Sequence, residues 1–278
     1  MIFVTGATGN VGAELVRALA GAGRPVRALI RRDEDRAKLP EGAEGHVGDL
    51  NKPETLVDGL RGVRGVHLLA GYDGLGALLE EMRRAGVEHV VLQSSSAAPS
   101  GDLDNAVARY HVLSERAIRD SGLAWTFLQP NSFMSNALRW LPQLQAGDVV
   151  REAFPDVAVS TIDPADIAAV AIAAFDSDEH RGHAYRLSGP ESLLPAERLA
   201  ILARVLGRDL RFEGMSNEEA RAEMSANMPQ QYVDAFFSFF VDGTVDETSV
   251  HPTVEQILGR PPGTFEQWAV AHADAFRN

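Results

Sequence analysis

The chain contains no cysteine, which excludes disulfides, thiolate metal sites and a cysteine nucleophile. Lysine is almost missing: Lys38 and Lys52 are the only lysines among 26 basic residues, the rest being arginine. Any mechanism that needs a lysine beyond position 52 is therefore excluded. Positive charge as a whole is short, because 39 acidic residues set the net charge at −13. An acidic surface repels phosphate backbones, so no nucleic-acid partner is expected. No apolar run approaches the roughly 18 residues of a membrane-spanning helix, and no membrane partner is expected. Met1 to Gly6 enter an apolar run without a basic leader, which speaks against a secretory signal. The expectation is a soluble, cytoplasmic protein, monomeric or homodimeric.

What is present is a core-forming composition, 45% hydrophobic and 23% charged, arranged in alternation over residues 1–130. Short apolar runs at Ile2-Thr5, Val26-Ile30, Gly45-Val47, Val66-Ala70, His89-Gln93 and Ala124-Leu128 read as strands buried on both faces. Between them Val11-Ala22, Pro53-Leu60, Leu75-Ala85 and Asn105-Ser121 carry apolar residues at helical spacing. Right-handed crossovers then give an α/β fold, a Rossmann-type doubly wound parallel sheet. Beyond Pro130 the alternation fades. Helices are expected at Asp166-Phe175, Pro195-Leu206, from Asn217, at Tyr232-Phe240 and at Thr264-Phe276, with one strand at Ala184-Leu187. The division expected is 1–130 and a smaller C-terminal α+β part, 131–278, packed on the carboxyl edge of the sheet and not folding independently, with a separate helical domain as the alternative.

The most informative segment is Thr5-Gly6-Ala7-Thr8-Gly9-Asn10-Val11-Gly12, with glycines spaced G-x-x-G-x-x-G between a strand and a helix. Gly6 permits a tight turn, Gly9 lets the backbone approach a diphosphate, and Gly12 lets the helix pack closely. The free N–H groups at the helix start then face the phosphates. A dinucleotide site follows. At the end of the second strand an acid selects NAD and an arginine the 2′-phosphate of NADP. Here Arg31 and Arg32 stand there, favouring NADP(H) over NAD(H), with Asp33 in opposition and a solvated pair of loop charges as the alternative. Asp49 and Leu50 after the third strand are placed to face the adenine. Ala70 and Gly71 after the fourth are placed to lie along the nicotinamide ribose, both pairs with a plain strand terminus as the alternative, and Ser94 and Ser95 follow the fifth.

Short-chain dehydrogenases place a serine after the fifth strand and a tyrosine with a lysine four residues on, the lysine preparing the phenol to donate a proton. Here Tyr110 is followed at that spacing by Ser114. Tyr110 and His111, the latter able to titrate near neutrality, are the catalytic candidates, each with a structural role as the alternative. The segments TGATGNVG (5–12), VRALIR (26–31), SGLAWTFLQPNSFMSN (121–136), STIDPADIAAVA (160–171), AYRLSGPESL (184–193) and TFEQWAVAHADAF (264–276) resemble the NmrA-like branch of the atypical short-chain dehydrogenases, nearly end to end. The resemblance implies an NAD(P)-binding Rossmann domain with a C-terminal substrate part. Members include quinone oxidoreductases of the second type, azoreductase-like proteins, plant reductases of benzylic ethers and redox-sensing regulators without turnover. The plant enzymes carry a lysine on the helix corresponding to 105–121, where this chain has His111. The quinone-reducing members dispense with a tyrosine–lysine pair.

The substrate wall is expected after the sixth strand, from Asn131, Phe133, Met134, Asn136 and Trp140, with Phe236 from an aromatic run at 236–240. Core packing is the alternative for Phe133 and Met134. Asp163 and Asp166 read as acids at a helix start. The activity expected is hydride transfer from NADPH to a quinone-like or other aromatic carbonyl small molecule. The alternative is a non-catalytic NAD(P)-binding redox sensor that reports to a protein partner.

Overall fold

In the computed structural model, which describes residues 1–277, the apolar runs become the strands of one sheet. They are β1 (Ile2–Val4), β2 (Val26–Ile30), β3 (Ala43–Val47), β4 (Gly65–Leu69), β5 (His89–Gln93), β6 (Ala124–Pro130) and β8 (His183–Leu187); β7 (Val149–Glu152) lies outside it. The sheet has seven strands in the order β3-β2-β1-β4-β5-β6-β8, and neighbours from β3 through β6 run parallel. Helices α1 (Asn10–Gly21), α2 (Leu75–Arg84) and α3 (Ala106–Asp120) join the strands, as a parallel sheet requires. The order reverses beside β1, so the loops after β1 and β4 diverge and leave a crevice at their carboxyl ends, the usual ligand position in such sheets.

Two compact units divide the chain. The first holds residues 1–101, 108–130 and 164–186; the second holds 102–107, 131–163 and 187–278. The boundary is thus not a single cut after Pro130. The segment 164–186 returns to the first unit because α5 (Pro164–Asp176) is apolar nearly all round and packs against α1, while the following residues add β8. Buried Val66, Leu68, Val90, Leu92, Leu78 and Phe127 belong to the core of the first unit.

The second unit pairs β7 in parallel with β9 (Arg211–Gly214) and surrounds them with helices. These are α4 (Leu141–Ala146), α6 (Pro195–Leu206), α7 (Asn217–Asn227), α8 (Gln230–Phe240), α9 (Thr253–Leu258), α10 (Phe265–Ala271) and α11 (Ala273–Arg277). Its core gathers Met134, Trp140, Leu199, Leu202, Phe265 and Trp268.

Two expected helices take another form. Pro53-Leu60 makes one tight 3₁₀ turn over Pro53–Leu56, held by Thr55 Oγ1 donating to the Lys52 carbonyl at 2.7 Å. The pattern at Thr264-Phe276 breaks at His272, whose ring stacks on Trp268 at 4.6 Å and whose Nδ1 lies 2.8 Å from the Trp268 carbonyl. The Trp268 carbonyl still accepts the helical His272 N–H at 3.1 Å, and the break comes at His272 itself, whose backbone leaves the helix at φ −112°, ψ 10°. Among the described residues no helix is long and apolar enough to cross a membrane.

Candidate functional site

The turn after β1 is built by its glycines. Gly6 has φ +62°, the left-handed region a side chain disfavours, and its carbonyl accepts from the Gly9 N–H at 2.8 Å. A Cβ on Gly12 would stand 2.2 Å from that carbonyl oxygen. The close approach demanded of Gly12 is therefore to its own turn. Gly9 differs: a Cβ there would meet only the Gly6 oxygen, at 3.3 Å, and otherwise enter open space. That space lies before the first turn of α1, where no side chain caps the free N–H groups of Asn10, Val11 and Gly12. An anionic diphosphate fits this cradle on size, charge and donor direction. Thr8 and Asn10 are exposed at its rim, and Val11 is buried beneath it.

At the end of β2, Arg31 is exposed and forms no ion pair or hydrogen bond among the described residues. Its neighbours are engaged: Arg32 lies 3.7 Å from Asp35, and Asp33 accepts from Arg36 Nε at 2.6 Å. The opposing acid is thus bound by another arginine, leaving Arg31 as the unclaimed cation at the end of β2 among the described residues. Asp49 is exposed, and its Oδ1 accepts from the Asn51 N–H at 2.9 Å. The Leu50 side chain is buried in the core, so only its backbone can face a ligand.

Ala70 and Gly71 follow β4. Gly71 has φ +91°, and a Cβ there would sit 3.0 Å from Tyr110 Cδ2, so the tyrosine ring lies directly against its backbone. The Gly71 N–H donates to Ser114 Oγ at 3.3 Å. The residue four positions after Tyr110 therefore holds the β4 terminus and supplies no charge. The rings of Tyr110 and His111 are 4.2 Å apart. His111 is buried, its Nδ1 has no hydrogen-bond partner, and burial pushes its pKa down to about 4. The expectation that it titrates near neutrality is thereby corrected: it is a neutral imidazole there.

Ser94 is buried and donates to Glu115 Oε1 at 2.6 Å, while Ser95 Oγ accepts from the Ala97 N–H at 3.2 Å. Glu115, which the sequence reading passed over, also accepts from Gln129 at 2.8 Å and Arg119 at 3.1 Å. The guanidinium of Arg119 in turn lies over the Trp125 and Phe127 rings. This network fixes the ends of β5 and β6 to α3. The available signal was the period: Glu115 falls on the buried stripe of Val112 and Ile118.

The second unit holds a cavity of about 460 Å³. Trp140, Asn136 and Phe236 line it. Asn131 does not; its amide is engaged by Ser160 Oγ at 2.8 Å and the Glu247 carbonyl at 3.2 Å. Met134 is fully enclosed in the core, the packing role, and Phe133 bridges to Ile162 in extended backbone. Asp166 occupies the first turn of α5. Arg139, Arg198, Phe154 and Met215 were not anticipated on the cavity wall, because they reach it from separate elements.

A family described as NAD(P)H-binding matches residues 6–178. The (4-alkanoyl-5-oxo-2,5-dihydrofuran-3-yl)methyl phosphate reductase of Streptomyces griseus is 41% identical over 99% of both chains. The NAD(P)H azoreductase of Xenophilus azovorans is 35% identical, again over 99% of both. Among solved structures, the NADPH complex of an Escherichia coli NADPH-dependent quinone oxidoreductase superposes with a TM-score of 0.78. It covers 99% of this chain and 100% of that one at 22% identity, a likeness of fold.

Proposed function

Because this chain belongs to the NAD(P)H-binding family, we propose that it is an NADPH-dependent oxidoreductase of the NmrA-like kind acting on a quinone-like conjugated carbonyl compound. The observation that carries the reading is the glycine cradle, closed to a side chain at Gly12 and open in front of Gly9. The names of the two relatives that match at 41% and 35% identity over 99% of the chain, both reductases, support the reaction class.

The chain's own residues divide the work. The N–H groups of residues 10–12 hold the diphosphate, and Arg31 binds the 2′-phosphate by charge-assisted hydrogen bonds. Gly71, held by Ser114 and backed by the Tyr110 ring, gives the nicotinamide ribose a flat backbone surface. Glu115 and Ser94 keep the neighbouring strand ends fixed so that this surface does not shift. When bound, NADPH supplies a hydride, and one solvent proton completes the two-electron reduction. A strong protein acid is dispensable because a reduced quinone oxygen is protonated by water. Neutral His111 agrees with this, and so does Ser114 in place of a lysine.

Oxidation of NADPH with a panel of quinones and conjugated carbonyl compounds tests the reading. Turnover with at least one acceptor, faster with NADPH than NADH, is expected. Cofactor binding without turnover on any acceptor would replace it with the redox-sensor reading.

A further inference from the structure

The cavity of the second unit contains a feature that packing does not account for. Arg198, on α6, has only 8% of its side chain exposed, yet its Nε is buried without a hydrogen-bond partner. None of its guanidinium nitrogens donates to another described residue, and the nearest carboxylate oxygen, Glu152 Oε1, is 4.0 Å away. That carboxylate is already an acceptor for Trp140 Nε1, at 3.0 Å. A buried guanidinium that keeps its donors unfilled is expensive, and it is stable only where a polar group completes it. Arg139, also on the wall, donates to the Asn136 carbonyl at 3.2 Å and enters no ion pair among the described residues. The third arginine of the wall, Arg151, is taken by Glu219 at 3.0 Å. Two cations therefore face the cavity with binding capacity to spare, against the carboxylates of Glu152 and Glu223.

The remainder of the wall is apolar and soft. Met215, Met224 and Met228 line it together with Phe154, Phe236 and Phe240. Methionine adapts to irregular flexible shapes, and the rings supply area. Phe154 is the only non-glycine residue with positive φ among those described, at +56°. For a bulky side chain this is a strained conformation, of the kind retained where a ligand wall needs it. Its ring packs at 5.2 Å from Phe237 and 5.1 Å from Phe240, which holds it in place.

We propose that this cavity takes an amphiphilic anion as substrate, with a phosphate or carboxylate headgroup on Arg198 and Arg139 and an alkyl or acyl body along the methionine and phenylalanine wall. The inference rests on the reductase reading for what is then done to that molecule, but not for its binding. A planar guanidinium fork matches an oxyanion in two-point contact, which neither a neutral alcohol nor an ammonium ion can make. A volume of about 460 Å³ suits a molecule of drug-like size, not a bare inorganic ion.

Calorimetric titration of the NADPH-loaded protein with octyl phosphate, octanoate, octanol and octyltrimethylammonium tests it. At least tenfold tighter binding of octyl phosphate or octanoate than of octanol is expected, and the stronger of the two identifies the headgroup. Arg198→Met should lose most of that preference. If Arg198→Met does not fold, exposed Arg139→Ser should weaken the anion three- to tenfold and leave octanol unchanged. Equal binding of octanol, tighter binding of the ammonium compound, or no response of the anion to Arg139→Ser overturns the proposal. The two readings fail separately. Anion binding with no hydride transfer to any acceptor removes the reductase reading alone, and turnover of neutral quinones without an anion preference removes this subsite alone.

Discussion

Alanine at Gly9 and at Gly12 should damage the protein in different ways, and the contrast separates a ligand's space from the fold's own. At Gly12 the new methyl would lie 2.2 Å from the Gly6 oxygen and 2.6 Å from its carbon, where ordinary contact begins near 3.4 Å. The turn must open by roughly 1 Å, and overpacking of this kind costs about 1–3 kcal/mol. For a chain of this size that lowers Tm by about 2–5 °C. At Gly9 the methyl meets one oxygen at 3.3 Å, and the backbone at φ −93°, ψ −177° suits any residue. The entropy gained by removing a glycine, about 0.4–1 kcal/mol, offsets the slightly poorer helix cap. Stability of Gly9→Ala should thus stay within about 1 kcal/mol of wild type. The methyl nevertheless occupies the open space before the helix start. Loss of even one charge-assisted hydrogen bond there, about 1.5–3 kcal/mol, weakens NADPH roughly tenfold to hundredfold. Thermal melting without cofactor and calorimetric titration with NADPH measure the two effects. A Gly9→Ala protein that binds NADPH as wild type does would refute the cradle, whatever its melting temperature.

Three further outcomes follow from the same geometry. Arg31→Ala should weaken NADPH by about tenfold to hundredfold and leave NADH nearly unchanged, since only the 2′-phosphate is affected; equal losses in titrations of the two cofactors would contradict the assignment. Tyr110→Phe keeps the ring on Gly71, so kcat for a quinone should stay within about threefold, whereas a general acid contributes about 10²–10⁴-fold and its loss would show as such. Stability should fall with acid because burial holds His67 and His111 near a pKa of about 4. Unfolded histidine takes its proton near 6.5, so between about 6.5 and 4 the unfolded chain binds protons that the folded one refuses. The neutral-form advantage is complete above that window, is lost at about 1.4 kcal/mol per pH unit per histidine as pH falls through it, and is constant below. His67→Leu should flatten the dependence of Tm on pH over that range; an unchanged slope would count against it.

The strands were legible because residues such as Val90, Val91 and Leu92 are buried on both sides of the sheet and so appear as unbroken apolar runs. The phosphate turn was legible because backbone geometry forces glycine at fixed spacing. What Gly12 avoids was not: the sequence suggested helix packing, and the structure shows the turn's own carbonyl. The break at His272 was hidden because the apolar pattern runs on through buried Ala273 and Phe276, and a change of backbone angles at one residue is invisible to periodicity. Asn131 and Met134 were drawn to the substrate wall by their place after the sixth strand. One is held by a hydrogen-bond network and the other is sealed in the core. The arginines and methionines of the cavity come from separate helices and strands, so no linear spacing announces them.

The most direct measurement is the fate of the transferred hydrogen. NADPH carrying deuterium on the reactive nicotinamide carbon, mixed with the protein and a reducible conjugated acceptor, should yield reduced product together with deuterium passed directly from cofactor to acceptor. Chemistry at that carbon is stereospecific, so only one of the two deuterated faces of NADPH should pass its label. Binding of NADPH with no label leaving it for any acceptor, or equal transfer from both faces, would contradict the proposed reduction.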